Sequence, residues 1–475
     1  MMSAGDMPRT RTRSATGTAV SMIGLTAMLV APLARAVDKD LSFHVGDTWS
    51  DNVTFSADNP VADHITGVAT KIGLATVGPV LEATARADLI YLHYIDGTFE
   101  DQFQRGFVGD ARLNFLEGRF SWVATENYGP VLEDPLSTDR PDNWTYDSYF
   151  TTGPDVIFGP LSGTHVLVGA RYNRVDYEIE TEPGNEQYEA NLALVFPSSA
   201  RTEASLHVDG RRVKQQTVES DDVVVPPADY DIGETYAHYS NDGARNSVSL
   251  DAGISALRMD GENDTSTAPL LRLGLGRKLT SRVTMSLYGG TQYQENLGRF
   301  QRLQSTPQPG GENPGDVLDD VVNTSSPLKD TYGTLMLSYD GPRMTADVSV
   351  SHNRVEAEGT EEITSALAAD QEYSTLNFAV ERRVTPTWTL GLAGNYQDRD
   401  YAELGRQDKD IVGQFSSIWR LQQELELTLI YQYRERDSNI AGAQYEVNSI
   451  QLELVYRPAS EIASRARENR WRVSK

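Results

Sequence analysis

A hydrolytic or metal site would have to be assembled from histidine, serine and carboxylate side chains, and the chain carries seven histidines: His44, His64, His93, His165, His207, His238 and His352. They are scattered. No two stand at metal-ligand spacing, and HExxH, GxSxG, P-loop and dinucleotide-binding patterns are all absent. Ser205 and His207, one inward position apart on an extended strand, make the sole nucleophile-and-base arrangement, and a pair lining a polar interior explains it better than catalysis does. The absence of cysteine excludes thiolate zinc sites, thiol chemistry and disulfide staples. No cofactor, metal or catalytic residue is therefore expected, and the chain is read as a non-enzyme.

A second set of ionisable residues alternates with apolar ones. Glu82, Arg86, Asp88, Asp110, Arg112, Arg171, Asp251, Asp347, Glu381, Glu424, Glu426 and Glu453 each fall on the polar side of such a run, and they mix both signs. Charges on one face of a membrane-crossing strand are stable only beside water or one another, so these residues are expected to line a hydrated interior.

The elements that must position them are strands. Between 424 and 434, Leu425, Leu427, Leu429, Tyr431 and Tyr433 share one face while Glu424, Glu426, Thr428, Gln432 and Arg434 share the other. Met344, Ala346, Val348 and Val350 alternate in the same way with Thr345, Asp347, Ser349 and Ser351. Candidate strands recur near 41–49, 64–77, 80–94, 103–116, 119–127, 144–159, 164–179, 186–197, 201–216, 229–240, 245–258, 267–279, 282–295, 330–340, 343–355, 371–384, 387–400, 409–421, 424–437 and 443–457. Short turns such as Gly78-Pro79, Asp242-Gly243 and Gly341-Pro342 join them in pairs, and long polar stretches, among them 50–63, 128–143, 218–228, 296–329 and 356–370, join the pairs. This is the pattern of an all-β, antiparallel transmembrane β-barrel of the outer-membrane type, with about 18–20 strands, short periplasmic turns and both termini in the periplasm. Tyrosine and tryptophan at strand ends suit interfacial girdles. The Pro/Gly-rich stretch 296–329 is the expected constriction of the lumen.

Arg9, Arg11 and Arg13 precede an uncharged stretch from 19 to 33, and Ala34-Arg35-Ala36 supplies small residues at a cleavage site. Residues 1–36 thus read as a signal peptide, 37–458 as the barrel and 459–475 as a basic periplasmic tail. The mature chain would carry 38 basic and 67 acidic residues, a net charge of −29, which makes nucleic acid an improbable partner. The acidic clusters Asp221-Asp222, Glu262 with Asp264, Asp316 with Asp319 and Asp320, and Glu356, Glu358, Glu361 and Glu362 read as solvated loop charge, with divalent cations shared with lipopolysaccharide as the alternative. Mean hydropathy is −0.44, too polar for a helical membrane protein but not for a barrel.

Three stretches carry a resemblance: Ser50-Asp51-Asn52-Val53-Thr54-Phe55 followed by 63–74; Glu126-Asn127-Tyr128-Gly129 through Asp134-Pro135 to Asn143; and Tyr149-Phe150 to Gly153-Pro154-Asp155. They resemble the β-barrel porins encoded with exopolysaccharide and PEP-CTERM export clusters in Gram-negative bacteria. The resemblance implies a porin-like conduit in exopolysaccharide export, with outer-membrane lipid and lipopolysaccharide, the polysaccharide and periplasmic export machinery as partners. It brings no catalytic residues. A general diffusion porin for small solutes, a lipid- or glycan-modifying barrel enzyme and a sealed adhesive barrel stand as alternatives.

Overall fold

A strand with one apolar and one charged face is stable where it separates hydrocarbon from water, and a sheet of such strands must close to leave no edge in lipid. The computed structural model describes residues 37–458 apart from 135, 179–183, 217, 220–223, 226–228, 262–263, 296–325 and 359–369. The expected signal peptide, the expected basic tail and most of the expected 296–329 constriction lie outside the described residues, as do Asp221, Asp222, Glu262, Asp316, Asp319, Asp320, Glu361 and Glu362.

In chain order the strands are β1 (Asp38–Ser50), β2 (Asp63–Val77), β3 (Leu81–Tyr94), β4 (Gln102–Phe115), β5 (Phe120–Leu132), β6 (Trp144–Phe158), β7 (His165–Tyr177), β8 (Asn185–Ser199), β9 (Thr202–Gln215), β10 (Val218–Glu219) and β11 (Val224–Val225). They continue as β12 (Tyr230–Asp242), β13 (Asn246–Met259), β14 (Ser266–Lys278), β15 (Val283–Gln294), β16 (Leu328–Asp340), β17 (Met344–Ala357), β18 (Gln371–Thr385), β19 (Trp388–Tyr401), β20 (Arg406–Arg420), β21 (Leu425–Ser438) and β22 (Tyr445–Tyr456). β10 and β11 form a separate two-residue ladder. The other strands make one 20-stranded antiparallel sheet that closes through β1 and β22, from Phe43 opposite Tyr456 to Ser50 opposite Ser449. The chain is a closed β-barrel of the outer-membrane type, at the upper end of the expected strand number.

Followed round the ring, the pairing registers return to β1 displaced by about 26 residues. With a rise of about 3.3 Å and a strand spacing of about 4.8 Å, that stagger corresponds to a tilt of roughly 42° and a backbone diameter of roughly 40 Å. Side chains alone cannot fill so wide a ring.

Strand bounds match the sequence expectation within a few residues, except that β5 runs on to Leu132 where a loop was expected from Tyr128. Gly129-Pro130 was the misleading signal. The β4 ladder ends at Tyr128, so Pro130 pairs only with β6 and its missing N–H leaves no partner unmet on the β4 side. Pro154 marks a similar accommodation, since the ladder between β6 and β7 lapses at Gly153 and Pro154.

The short turns within hairpins lie at one end of the barrel together with both ends of the described chain, and the longer connections lie at the other, where 402–405 between β19 and β20 is as brief as a turn. From the short-turn end, outward positions are apolar for about eight residues and then turn polar: on β17, Met344, Ala346, Val348 and Val350 give way to His352, Arg354 and Glu356. At the tilt above this makes a band about 20 Å tall, close to the lipid-facing height of such barrels. Its apolar side chains are solvent-accessible, Ile254 to 61% and Leu206 to 55%, as side chains awaiting lipid are. Near the short turns Trp388 pairs across strands with Trp419 and donates its indole N–H to Ser417 Oγ at 2.9 Å, while Trp122 donates to Thr152 Oγ1 at 2.9 Å. The ring meets the apolar side and its polar atom is satisfied, as an interfacial girdle requires.

Leu429 lies within the apolar band between Ser417 and Leu452, whereas Thr428 faces inward beside Glu453. Leu429→Arg is expected to destabilise the barrel by about 2–4 kcal/mol and Thr428→Arg to be tolerated. Heat-modifiable gel mobility of the two variants reads this, and equal behaviour would refute the assignment of faces.

Candidate functional site: the lumen and its mouth

Every strand-borne residue expected to line the interior lies on the face opposite the apolar band. Arg86 pairs with Asp88 at 3.2 Å on β3, and Asp110 accepts a hydrogen bond from Thr84. Arg112 and Arg171 converge on Asp155, at 3.8 and 2.6 Å. Asp251 binds His238 Nδ1 at 2.5 Å and Arg272 at 3.4 Å. Glu426 takes Arg457 at 2.6 Å and Arg420 at 3.6 Å, and Glu453 takes His44 at 3.0 Å. Glu82, Asp347 and Glu381 have no ion pair among the described residues. Glu424 sits in the turn before β21 rather than on a strand, where its carbonyl accepts from Arg457 N. These residues are spread round the whole ring and form no single site.

The wall from β4 to β14 carries a denser network, much of which the sequence reading missed. Arg272 reaches Glu234 at 2.7 Å, Arg211 reaches Glu189 at 3.7 Å, and the His207 and Tyr236 rings stack at 4.6 Å. Arg272 covers Tyr236 at 5.2 Å, so the tyrosine is held between a guanidinium and an imidazole. Parity would have found these residues, since they share the inward face with those named. A recess of about 470 Å³ opens on this wall, lined by Arg112, Asp155, Arg171, Glu189, His207 and Asp209 among others. Ser205 Oγ does bond His207 Nε2, at 2.8 Å, but Asp251 holds His238 instead, whose ring lies 6.1 Å from that of His207. Among the described residues no serine–histidine–aspartate relay is completed around this pair. Among the described residues no group of three His, Asp or Glu side chains is placed to hold a metal ion.

The mouth at the long-connection end is crossed by residues 133–134 and 136–143, which fold inward from between β5 and β6. Asn143 organises the segment: its Oδ1 accepts from Asp134 N at 2.9 Å and its Nδ2 donates to the carbonyls of Asp134 and Thr138, each at 3.0 Å. Asp134 Oδ1 accepts from Leu136 N, closing a local turn, and a single 3-10 turn at Pro141–Asn143 leads into β6. The tip is fastened on the far wall. Asp139 accepts from Arg434 Nη1 on β21 and from Trp144 Nε1, both at 2.8 Å; Leu136 O accepts from Arg406 Nη1 on β20 at 2.5 Å; and Leu136 packs on Leu328 of β16 and Val355 of β17, almost diametrically opposite its root. Arg406 is fixed in turn by Asp408, Nη2 to Oδ2 at 2.7 Å, and both are buried. On the adjacent arc Glu295, leaving β15, bonds Arg211 of β9 near a buried apolar cluster of Val213, Tyr230, Ile232, Leu257, Ala268 and Tyr293. At the same end burial raises the carboxyls of Glu358 and Asp370 above their ordinary values.

Among the described residues the segment that crosses the mouth is 133–143; most of the expected 296–329 constriction lies outside them. Length and glycine content favoured the longer stretch; the contacts that hold the shorter one are made by residues 190 to 300 positions away, which local sequence does not reveal.

Residues 344–458, strands β17–β22, match a family model described as "Putative beta-barrel porin 2". No curated protein matches the chain. Among solved structures the FrpB iron transporter of Neisseria meningitidis (F5-1 variant) shares 8% identity at a TM-score of 0.48, over 90% of this chain and 83% of its own. The siderophore receptor PirA of Pseudomonas aeruginosa shares 10% at 0.45, over 88% and 80%, and the copper transporter OprC shares 10% at 0.45, over 89% and 80%.

Replacing 134–142 by a short glycine–serine link is expected to raise single-channel conductance in planar bilayers without loss of heat-modifiable assembly, because the barrel wall does not depend on the segment. Asn143→Ala should loosen it by about 1–3 kcal/mol, since buried backbone groups lose their partners. Asp139→Ala should cost less, about 0.2–1 kcal/mol, the pair with Arg434 being one-third exposed. Proteolytic nicking between 134 and 142 orders the two variants, and unchanged conductance after the replacement would refute the constriction.

Proposed function

We propose that the chain is an outer-membrane conduit through which a polysaccharide passes to the cell surface. The observation that supports it most is the interior itself: a closed ring roughly 40 Å across, walled by polar and charged residues and crossed at the mouth by a segment held by a few bonds. Such a wall excludes lipid and offers hydrogen-bond donors and acceptors of both signs, along which a hydrated chain of sugars exchanges partners without being trapped. The porin-family match over β17–β22 and the sequence resemblance to barrels of exopolysaccharide export loci point the same way. In this reading the short turns and both chain ends face the periplasm, where export machinery would dock, and the long connections face outward.

A general diffusion pore for small solutes is the second reading. The segment across the mouth favours it, because a partial barrier suits small molecules better than a polymer.

Deleting the gene is expected to reduce surface polysaccharide and to accumulate it in the periplasm; unchanged export with no periplasmic pool would overturn the conduit. Purified barrel giving steady open conductance in planar bilayers without partner or polymer would favour the diffusion pore. His207→Ala is expected to leave lipid and glycan profiles unaltered, and any change in them would reinstate an enzymatic role.

A further inference from the structure

Outward cations on the wall from β4 to β13 fall into two kinds. Arg174 is neutralised by Asp176 at 2.7 Å, Arg212 by Asp229, Asp231 and Asp260, and Arg258 by Asp231 at 3.1 Å. Arg105 and Lys214 make no ion pair among the described residues. Each is held instead on aromatic rings: the Arg105 guanidinium lies 5.7 Å from the Tyr128 centroid and 5.1 Å from that of Tyr146, two rings stacked at 5.4 Å, and the Lys214 ammonium lies 5.6 Å from the Tyr188 centroid, beside Tyr172. A ring face orients a cation without cancelling its charge.

The height of these groups matters as much as their charge. Arg105 is ten residues up β4 from Phe115, or about 24 Å above the short-turn rim at the tilt of the strands, where the apolar band ends. Both cations are exposed on the outer face, so they meet the headgroup layer and not the lumen. Above Arg105 the wall continues: β5 and β6 stay paired from Tyr128 opposite Ser148 to Leu132 opposite Trp144, about 10 Å further. That is more wall than a glycerol-phosphate headgroup would cover, and it is rich in the rings that pack on sugar C–H surfaces.

We propose that Arg105 with Tyr128 and Tyr146, flanked by Lys214 with Tyr188, binds the phosphates of a phosphorylated glycolipid whose acyl chains lie on the apolar band below. The site would anchor the barrel to its own leaflet despite the large negative charge of the chain. It rests on the transmembrane reading of the fold and is independent of what the lumen carries.

The test uses the full barrel in phosphatidylcholine nanodiscs doped with diphosphorylated lipid A, its dephosphorylated form or phosphatidylglycerol, with retained lipid counted by native mass spectrometry. Wild type is expected to retain the diphosphorylated form preferentially. Arg105→Gln should weaken retention about fivefold and Lys214→Gln similarly, while Arg105→Lys keeps most of it. Inward-facing Lys71→Gln should have no effect, and all variants should stay heat-modifiable. Equal retention of the dephosphorylated form or of phosphatidylglycerol, or wild-type retention by Arg105→Gln, would overturn the proposal. Loss of polysaccharide export plays no part in the readout, so a failed conduit and a failed lipid site are told apart.

Discussion

The pairing of β1 with β22 is the contact on which everything else depends. Within hydrocarbon each unpaired backbone N–H or C=O costs several kcal/mol, roughly as much as the net stability of many domains, so an open sheet of this length would not persist in lipid. Eight residue pairs, from Phe43 with Tyr456 to Ser50 with Ser449, remove both edges at once. Closure also sets the stagger, hence the tilt and the width. A ring of this width is too wide for side chains alone to fill, and Asp155, Arg171, Glu234 and Arg272 stand in its wall as ion pairs.

Charge in the lumen is managed locally. On the wall from β4 to β14 most guanidiniums meet a carboxylate from the next strand or the one beyond, so a cross-strand ladder of ion pairs replaces the apolar core of a soluble sheet. Such pairs contribute little stability when hydrated. Their consequence is positional: they hold side chains against the wall and keep the passage from being filled by long, mobile cations. At the mouth the same chemistry is used across the ring, where Arg434 and Arg406 take hold of Asp139 and the carbonyl of Leu136. A barrier made of two polar contacts and one apolar one is strong enough to stay and weak enough to be displaced.

The outer face divides by height. Below, Leu, Val and aromatic side chains present an apolar band; above, cations appear, most of them neutralised by aspartates, with Arg105 and Lys214 held on tyrosines. The same strand thus reads two media in turn, and the changeover between Val350 and His352 on β17 marks the boundary residue by residue.

Period-two alternation was enough to determine the fold class and the strand positions, because in a strand the side-chain face is dictated by parity alone. Turn chemistry located the hairpins for an equally local reason. It failed at Gly129-Pro130, where tolerance of proline depended on a neighbouring strand stopping short. What only the tertiary structure decided are the relations between distant residues: that 133–143 crosses the mouth and is fastened on the far wall, that Asp251 orients His238 and leaves His207 to Ser205, and that Arg105 finds rings where Arg212 finds carboxylates. These rest on registers summed round a ring of twenty strands. No local stretch of sequence contains that sum.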